Sequence, residues 1–475
     1  MKRLVLAAAL LSTRALAYNE AVHAFITEHA VHDSRVLTPP TQDDLDGFRI
    51  LFWQHAIEHP EFAHHYPSVD SFSAWEFKQF LMLNPEARVH GFDLTPEDAA
   101  PMRRGRLLAL ASRWPDEDGR NRDRFLRDGR THEVIKAKDG SPMPYDPATL
   151  DFGGLTGTTS QAHAHYGLVE GPLSDDPAVL KSEPWRFAVP PTAHAYGPEF
   201  VGIYTDLAAL ATTSELPSAA WLEAVFAGAA FHHLEDLCNQ IHTVQVGTYQ
   251  FFREAFLQSK LRDLETLGGL LGQRRSLRQI GVRLIANHHL LSEDYFAKHL
   301  ETLHTGEIEE PDAAIAGAAD LPRAIIEKSS REAPEVYRLA WRFSAKTLRD
   351  GVSGHEYDGA NGDDPDAFVS HTRDARAAIA EFNAIELRGI RRAVTAVRAW
   401  ERRFPGPPHD PVPTLVAYHA QAAHRRAGYL PQGAQQMGIA WGYAAAAASL
   451  LAAAAFLIRR RMLRALGASA SAGAR

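Results

Sequence analysis

Cysteine is almost absent: Cys238 stands alone among 475 residues. No disulfide can form within one chain and no Cys-based zinc knuckle can be built. Any metal centre therefore has to draw on His, Asp and Glu. An excess of positive charge is also missing. Lys and Arg number 50 against 58 Asp and Glu, for a formal net charge of −8, which argues against a protein that coats nucleic-acid phosphates with clustered cations. A phosphate site lined by metal ions remains compatible with that balance. Alternating strand patterns and internal repeats are absent as well, which points away from a β fold. Disorder-type composition is missing too, because hydrophobic residues make up 45% and charged residues 23%, as in globular proteins.

What is present in quantity is histidine, 24 residues, the first hint of metal chemistry. The two ends are equally informative. Lys2 and Arg3 precede an apolar run from Leu4 to Leu11 and the small-x-small triplet Ala15-Leu16-Ala17, the layout of a secretory signal over residues 1–17. Cleavage there exposes Tyr18 as a new N-terminus. Near the other end, Gly438 to Ile458 carries no charge and is followed by Arg459, Arg460, Arg461 and Arg464. A stretch of roughly 20 apolar residues crosses a hydrocarbon core, and the arginine block places the tail, 459–475, on the cytoplasmic side. The expected product is exported and single-pass, with its main domain outside the cytoplasm on the periplasmic or extracellular face. Five prolines within "FPGPPHDPVPTL" make a stiff, extended start to a linker and juxtamembrane segment at 404–437.

The body, 18–403, reads as all-α. Trp221, Leu222, Val225, Phe226, Ala229 and Ala230 recur at helical spacing. So do the apolar residues of "RRSLRQIGVRLIANHHLLSEDYFAKHLETL", of "RAIIEKSSREAPEVYRLAWRFSAKTL", where Pro334 interrupts the pattern, and of the segment ending at Phe404. Residues 33–48 and 127–200 are rich in Pro, Gly, Asp and Ser and are expected to be long loops, of the kind that wraps a functional site.

The chemistry concentrates in "FHHLEDLCNQIH". His232 and Asp236 stand four apart, on one face of a helix. His242, six residues on, falls off that line, so it serves a neighbouring metal or sits past a helix end. A second pair, His289 and Glu293, repeats the four-residue spacing. Taken alone, either pair is the spacing of a surface ion pair. Asp116 follows Trp114-Pro115, and His163 and His165 occupy "QAHAHYG"; in isolation these are an acidic turn and two polar loop residues. The new N-terminus adds another donor. An α-amino group has a pKa near 8, so a cation displaces its proton, and the amine and carbonyl of Tyr18 can chelate a metal beside His23. Cys238 is expected to be a small buried residue. His29, His32, His233 and His288 adjoin the candidates and can orient a ligand through their second ring nitrogen.

This order of a processed N-terminus, His-x-x-Ile-x-x-x-Ala from His23 to Ala30, Pro115-Asp116, a loop histidine before an aromatic residue, His232…Asp236…His242 and His289…Glu293 resembles the zinc-dependent phospholipase C and single-strand nuclease superfamily. The resemblance implies a multi-helix, phospholipase C/nuclease-like body with long loops and three zinc ions in a cleft. It assigns Tyr18 and His23 to one zinc, with Asp236 bridging to a second. That second ion also takes Asp116, His232 and a loop histidine. His165, which directly precedes Tyr166, suits the loop role better than His163. His242, His289 and Glu293 hold the third ion. Two differences from the family are plain: Tyr18 replaces its usual first tryptophan, and about 60 residues within 35–100 look like an insertion.

Three divalent ions in a cleft suit hydrolysis of phosphoric esters, and by resemblance Asp116 also serves as the catalytic carboxylate that orients the attacking water. The substrate is then a phospholipid or another phosphodiester. Glu293 at the last ligand position resembles the bacterial phospholipase C branch, whereas the nucleases usually carry Asp there. A zinc-dependent single-strand nuclease or nucleotidase is the alternative, with nucleic acid as partner. A membrane-tethered zinc scaffold without turnover is the reading from a different class. The adjacent His32-Asp33 is too little for an HD-type phosphohydrolase, which needs further His and Asp in set order.

Overall fold

The structure is a computed structural model that describes residues 20–74, 77, 100–115, 197–243, 277–303, 312–345, 357 and 362–404. The chain divides into two units, Met1–His419 and Ala420–Arg475, and all described residues belong to the first. They are mostly helical. In chain order the elements used below are α1 (Glu20–Ala30), β1 (Val36–Leu37), α2 (Gln42–Ala56), α3 (Pro60–His65), β2 (Met102–Arg103), α4 (Arg104–Ala111), α5 (Gly197–Thr213), α6 (Ala219–Cys238), α7 (Gln240–Thr243), α8 (Leu277–Leu303), α9 (Ala313–Ala316), α10 (Leu321–Phe343) and α11 (Arg373–Arg403). β1 and β2 pair antiparallel over two residues each. Among the described residues no helix is long and apolar enough to cross a membrane; the expected span at 438–458 and the signal at 1–17 lie outside them.

The central element is α6. Every residue from Trp221 to Cys238 is buried, because α6 has α5, α4, α11, α10 and α1 packed around it. The sequence pattern points to one apolar face, but beyond Ala219 and Ala220 the structure gives this helix no solvent face. A helix buried all round is normally apolar all round. This one also carries Glu223, His232, His233, Glu235 and Asp236 inside. Each must find a partner within the protein, since an ion taken out of water costs several kcal/mol when unmatched. For Glu223 the partner is Arg104, which donates from Nη2 at 2.7 Å and from Nε at 3.1 Å. Arg104 also reaches Glu401 of α11 at 3.1 Å and Asp33 at 3.5 Å. One buried guanidinium thus ties α4, α6, α11 and the turn after α1 together. Asp33, the acid of the HD-like dipeptide, is further held by Arg35 at 2.6 Å, and these contacts keep its carboxyl below the usual carboxylate range.

Two expectations need correction. Residues 42–48 are not loop but the first half of α2. Thr41 accepts from Asp44 N at 3.1 Å, and the Asp44 carboxylate accepts from Thr41 N at 2.8 Å, a reciprocal capping box. The aspartates that suggest a loop are instead N-terminal residues of a helix, satisfying its first amides and facing its positive end. Phe48, Phe52, Phe62, Phe72 and Phe77 then pack inward. Phe52, Phe62, Phe72 and Phe77 form ring contacts with one another, and Phe48 reaches Phe226 of α6 at 5.5 Å. The end of the second expected loop is likewise helical, since α5 starts at Gly197 with Pro198 in its first turn, where a missing N–H costs nothing. Residues 127–196 lie outside the described chain.

Pro334 does not break α10, which runs from Leu321 to Phe343. An interior proline costs about 3 kcal/mol, but Ile325, Ile326, Val336, Leu339, Ala340 and Trp341 on either side are all buried. At roughly 1.5–3 kcal/mol for each large apolar side chain, their burial outweighs the lost bond.

Candidate metal centre

The site is built around Asp236, two residues before the end of α6 and fully buried. His232, one turn earlier, places Nε2 3.1 Å from Asp236 Oδ2. His23 of α1 places Nε2 3.5 Å from Asp236 Oδ1. His242 arrives from beyond the helix. Asn239 leaves the α conformation at ψ 120°, its side-chain oxygen accepts from Ile241 N at 3.0 Å, and the short α7 turns His242 back so that Nδ1 lies 3.3 Å from Asp236 Oδ1. The other nitrogen of His242, Nε2, faces Glu293 Oε1 of α8 at 3.1 Å, and Asn239 donates to that oxygen at 3.3 Å. His23, His232, Asp236, His242 and Glu293 therefore converge.

Two contacts set the ring orientations. His232 Nδ1 donates to the carbonyl of Ser112 at 2.8 Å. A carbonyl only accepts, so in a neutral imidazole the lone pair sits on Nε2 and faces a carboxylate oxygen. Two acceptors 3.1 Å apart are joined by a shared proton or a shared cation. Gly228 makes the Ser112 contact possible. A Cβ at this position, one turn before His232, would lie 2.4 Å from Ala111 Cβ and 2.8 Å from the Leu108 carbonyl, so only glycine lets α4 approach α6 this closely. His23 Nδ1 lies 2.6 Å from Glu235 Oε2, and Thr27 donates to Glu235 Oε1 at 2.7 Å.

The electrostatics are severe. Burial drives the Glu235 carboxyl well above the usual carboxylate range, and neighbouring Asp236 adds to the shift. Burial opposes charge on His242, but Asp236 and Glu293 outweigh it and hold the imidazolium up to about 10. Glu386 of α11, also buried, is pushed up to about 8 by burial and by Glu293. The donor atoms suit a cation. Those of His23, His232 and Asp236 all lie within 4.8 Å of one another, and this buried group could hold a metal ion. Ligand atoms around a tetrahedral zinc stand about 3.3–3.4 Å apart, given bonds of about 2.0–2.1 Å. The contacts of His232 and His23 to Asp236, at 3.1 and 3.5 Å, bracket that spacing.

No family model, curated protein or solved structure matches this chain.

The remaining candidates from the sequence have different standing. His289 lies on α8, one turn before Glu293; its side chain is outside the described residues, as are Tyr18, Asp116, His163 and His165. The described chain begins at Glu20, and the described range 100–115 stops at Pro115, directly before Asp116. These two approaches are tied together, because Arg113 donates to Glu20 at 3.2 Å. The neighbouring histidines have other surroundings. His233 stacks on Tyr204 with ring centroids 5.5 Å apart, His288 on Trp341 at 4.7 Å, and His29 Nδ1 donates to Phe25 O within its own helix at 2.7 Å. Cys238 is buried, and burial pushes its thiol up.

Sequence reasoning misses Glu235, Thr27, Ser112, Asn239 and Glu386. Thr27 stands four residues after His23, so it shares that face of α1; this spacing is the one signal that could have been read. It misses too the anchor of the α7 turn. Gln240 donates to Glu332 of α10 at 3.0 Å and to the Ile385 carbonyl of α11 at 3.2 Å. Arg388 donates to the same glutamate at 3.0 Å, and Arg392 bonds it too.

Proposed function

We propose that this protein is a membrane-anchored, extracytoplasmic, zinc-dependent phosphoric ester hydrolase of the phospholipase C type. The observation that carries the reading is the convergence of His23, His232 and His242, from three separate segments, on the one carboxylate of Asp236 inside a helix buried from Trp221 to Cys238. Asp236 and Glu293, both buried among these imidazoles, are carboxylates for which divalent cations are a natural counter-charge. The resemblance in ligand order supports zinc as that cation and three as the number of ions.

In this reading Tyr18, through its amine and carbonyl, and His23 would hold one ion together with Asp236, and Asp116, His165 and His232 would share Asp236 in holding a second. His242, His289 and Glu293 would hold the third. When bound, such ions polarise phosphoryl oxygens, activate water and stabilise the leaving oxygen. The chain's own residues do the rest. Ser112 holds the ring of His232 in orientation, Asn239 orients Glu293, and Asp116 accepts the proton of the attacking water. The substrate is a phosphodiester. Glu293, together with an anchor that keeps the body beside a bilayer, favours a phospholipid.

The test is turnover by the full-length chain purified in detergent, offered a chromogenic phosphodiester, phosphatidylcholine and single-stranded DNA in parallel. Release of diacylglycerol and phosphocholine is the expected result. His232→Ala should lower turnover at least 100-fold while leaving yield and helical content intact. Cleavage of DNA with no action on lipid would favour the nuclease alternative. Stoichiometric zinc with no turnover on any of the three would favour the scaffold.

A further inference from the structure

We propose that Glu235 is a positioning residue of the metal centre, holding His23 so that its Nε2 points at Asp236. The inference rests on the metal-binding reading above and adds to it a residue that neither the ligand spacing nor the resemblance contains.

Both carboxylate oxygens of Glu235 are committed. Oε2 receives His23 Nδ1 at 2.6 Å, and Oε1 accepts the Thr27 hydroxyl at 2.7 Å. Donor and acceptor lie on different helices, α1 and α6, more than 200 positions apart in sequence. Glu235 and His23 are both fully buried. His23 and Thr27 stand one turn apart on α1, so the two bonds grip one face of that helix at two points. A ring held through Nδ1 presents Nε2 in a single direction, and here that direction is Asp236 Oδ1 at 3.5 Å.

Packing alone does not explain a glutamate here. Other interior positions of α6 are filled by Leu234, Leu237 and Phe231, and a leucine would hold α1 against α6 without bringing a charge out of water. Comparison with Glu223, buried on the same helix, sharpens the point. Glu223 is matched by a permanent cation, Arg104, at 2.7 Å. Among the described residues no Lys or Arg bonds Glu235; its side-chain partners are an imidazole and a hydroxyl. Among the described residues, a positive charge can therefore reach Glu235 through the His23 ring. A cation bound at Nε2 supplies it through the carboxylate–imidazole–metal arrangement that orients histidine ligands and raises their basicity.

The experiment compares wild type, Glu235→Gln and Thr27→Val as full-length chains in detergent, stripped with chelator and titrated with zinc against a chromogenic competitor. Melting temperatures are recorded with and without zinc. Outer partners of metal-binding histidines typically contribute about 10–100-fold in affinity. Glu235→Gln should weaken the tightest zinc site within that range, and Thr27→Val should do so less. The metal-free melting temperature of Glu235→Gln should be unchanged or higher, because a buried carboxylate is replaced by a neutral amide of the same shape. Its zinc-induced rise should be smaller than in wild type. That combination separates a role toward the metal from a role in packing, which would lower the metal-free melting temperature and leave affinity alone. Unchanged affinity in both variants overturns the proposal while the metal centre stands. If wild type itself takes up no zinc, the reading beneath it fails as well. Should Glu235→Gln not fold, Thr27→Val decides.

Discussion

Asp236 is the residue on which the account turns, because two oxygens of one side chain face three imidazoles. Asp236→Asn keeps the size and one acceptor but removes the charge that balances bound cations. It should cut zinc content sharply and lower phosphodiester turnover by more than the roughly 10–100-fold typical of outer partners, as read by elemental analysis and the chromogenic assay on the same preparation. Much of this neighbourhood is legible in the sequence. His232 and Asp236 stand one helical turn apart, as do His289 and Glu293, and helix geometry places each pair on one face. His242 is legible as a candidate but not in its direction, since that depends on Asn239 ending α6. Glu235 is not legible. An acid beside Asp236 in "HHLED" has the look of a solvent-facing charge, and only the three-dimensional fold brings His23 and Thr27 to it.

At the scale of elements, the site depends on how closely α4 and α6 cross. Gly228 permits that approach, whereas Gly202 of α5 has nothing within 4 Å of the position a Cβ would take. The two glycines should therefore respond oppositely to the same change. Gly228→Ala should cost roughly 1–3 kcal/mol through overpacking and disturb the Ser112 contact of His232. Gly202→Ala should add up to about 1 kcal/mol through helix propensity. Thermal denaturation of the two variants beside wild type reads both signs, and equal shifts would contradict the crossing described here. Element type is legible for α6, α8, α10 and α11 from apolar spacing. The start of α2 is not, because aspartates near a helix N-terminus resemble loop composition until the capping box is seen. Nor is the continuity of α10 through Pro334, which depends on packing that local propensity does not contain.

For the whole molecule, the body is closed by residues far apart in sequence. Arg104 joins Glu223 and Glu401, Arg398 donates to the His29 carbonyl at the end of α1 at 2.8 Å, and Trp400 donates to Thr205 at 2.8 Å. The last described helix, α11, thereby holds the first, α1, which carries His23 onto α6. The sequence shows a helical body rich in histidine, but it does not show that a nearly all-buried α6 is its axis, because the pattern of α6 alone suggests a single apolar face. The central claim is that this axis ends in a centre for divalent cations. The most direct measurement is the metal content of the full-length chain, purified in detergent from zinc-replete cells without chelator. The account predicts zinc, at about three ions per chain for a complete phosphoesterase-type centre, falling sharply in Asp236→Asn. A wild-type chain that is folded yet carries no stoichiometric metal of any kind would contradict it.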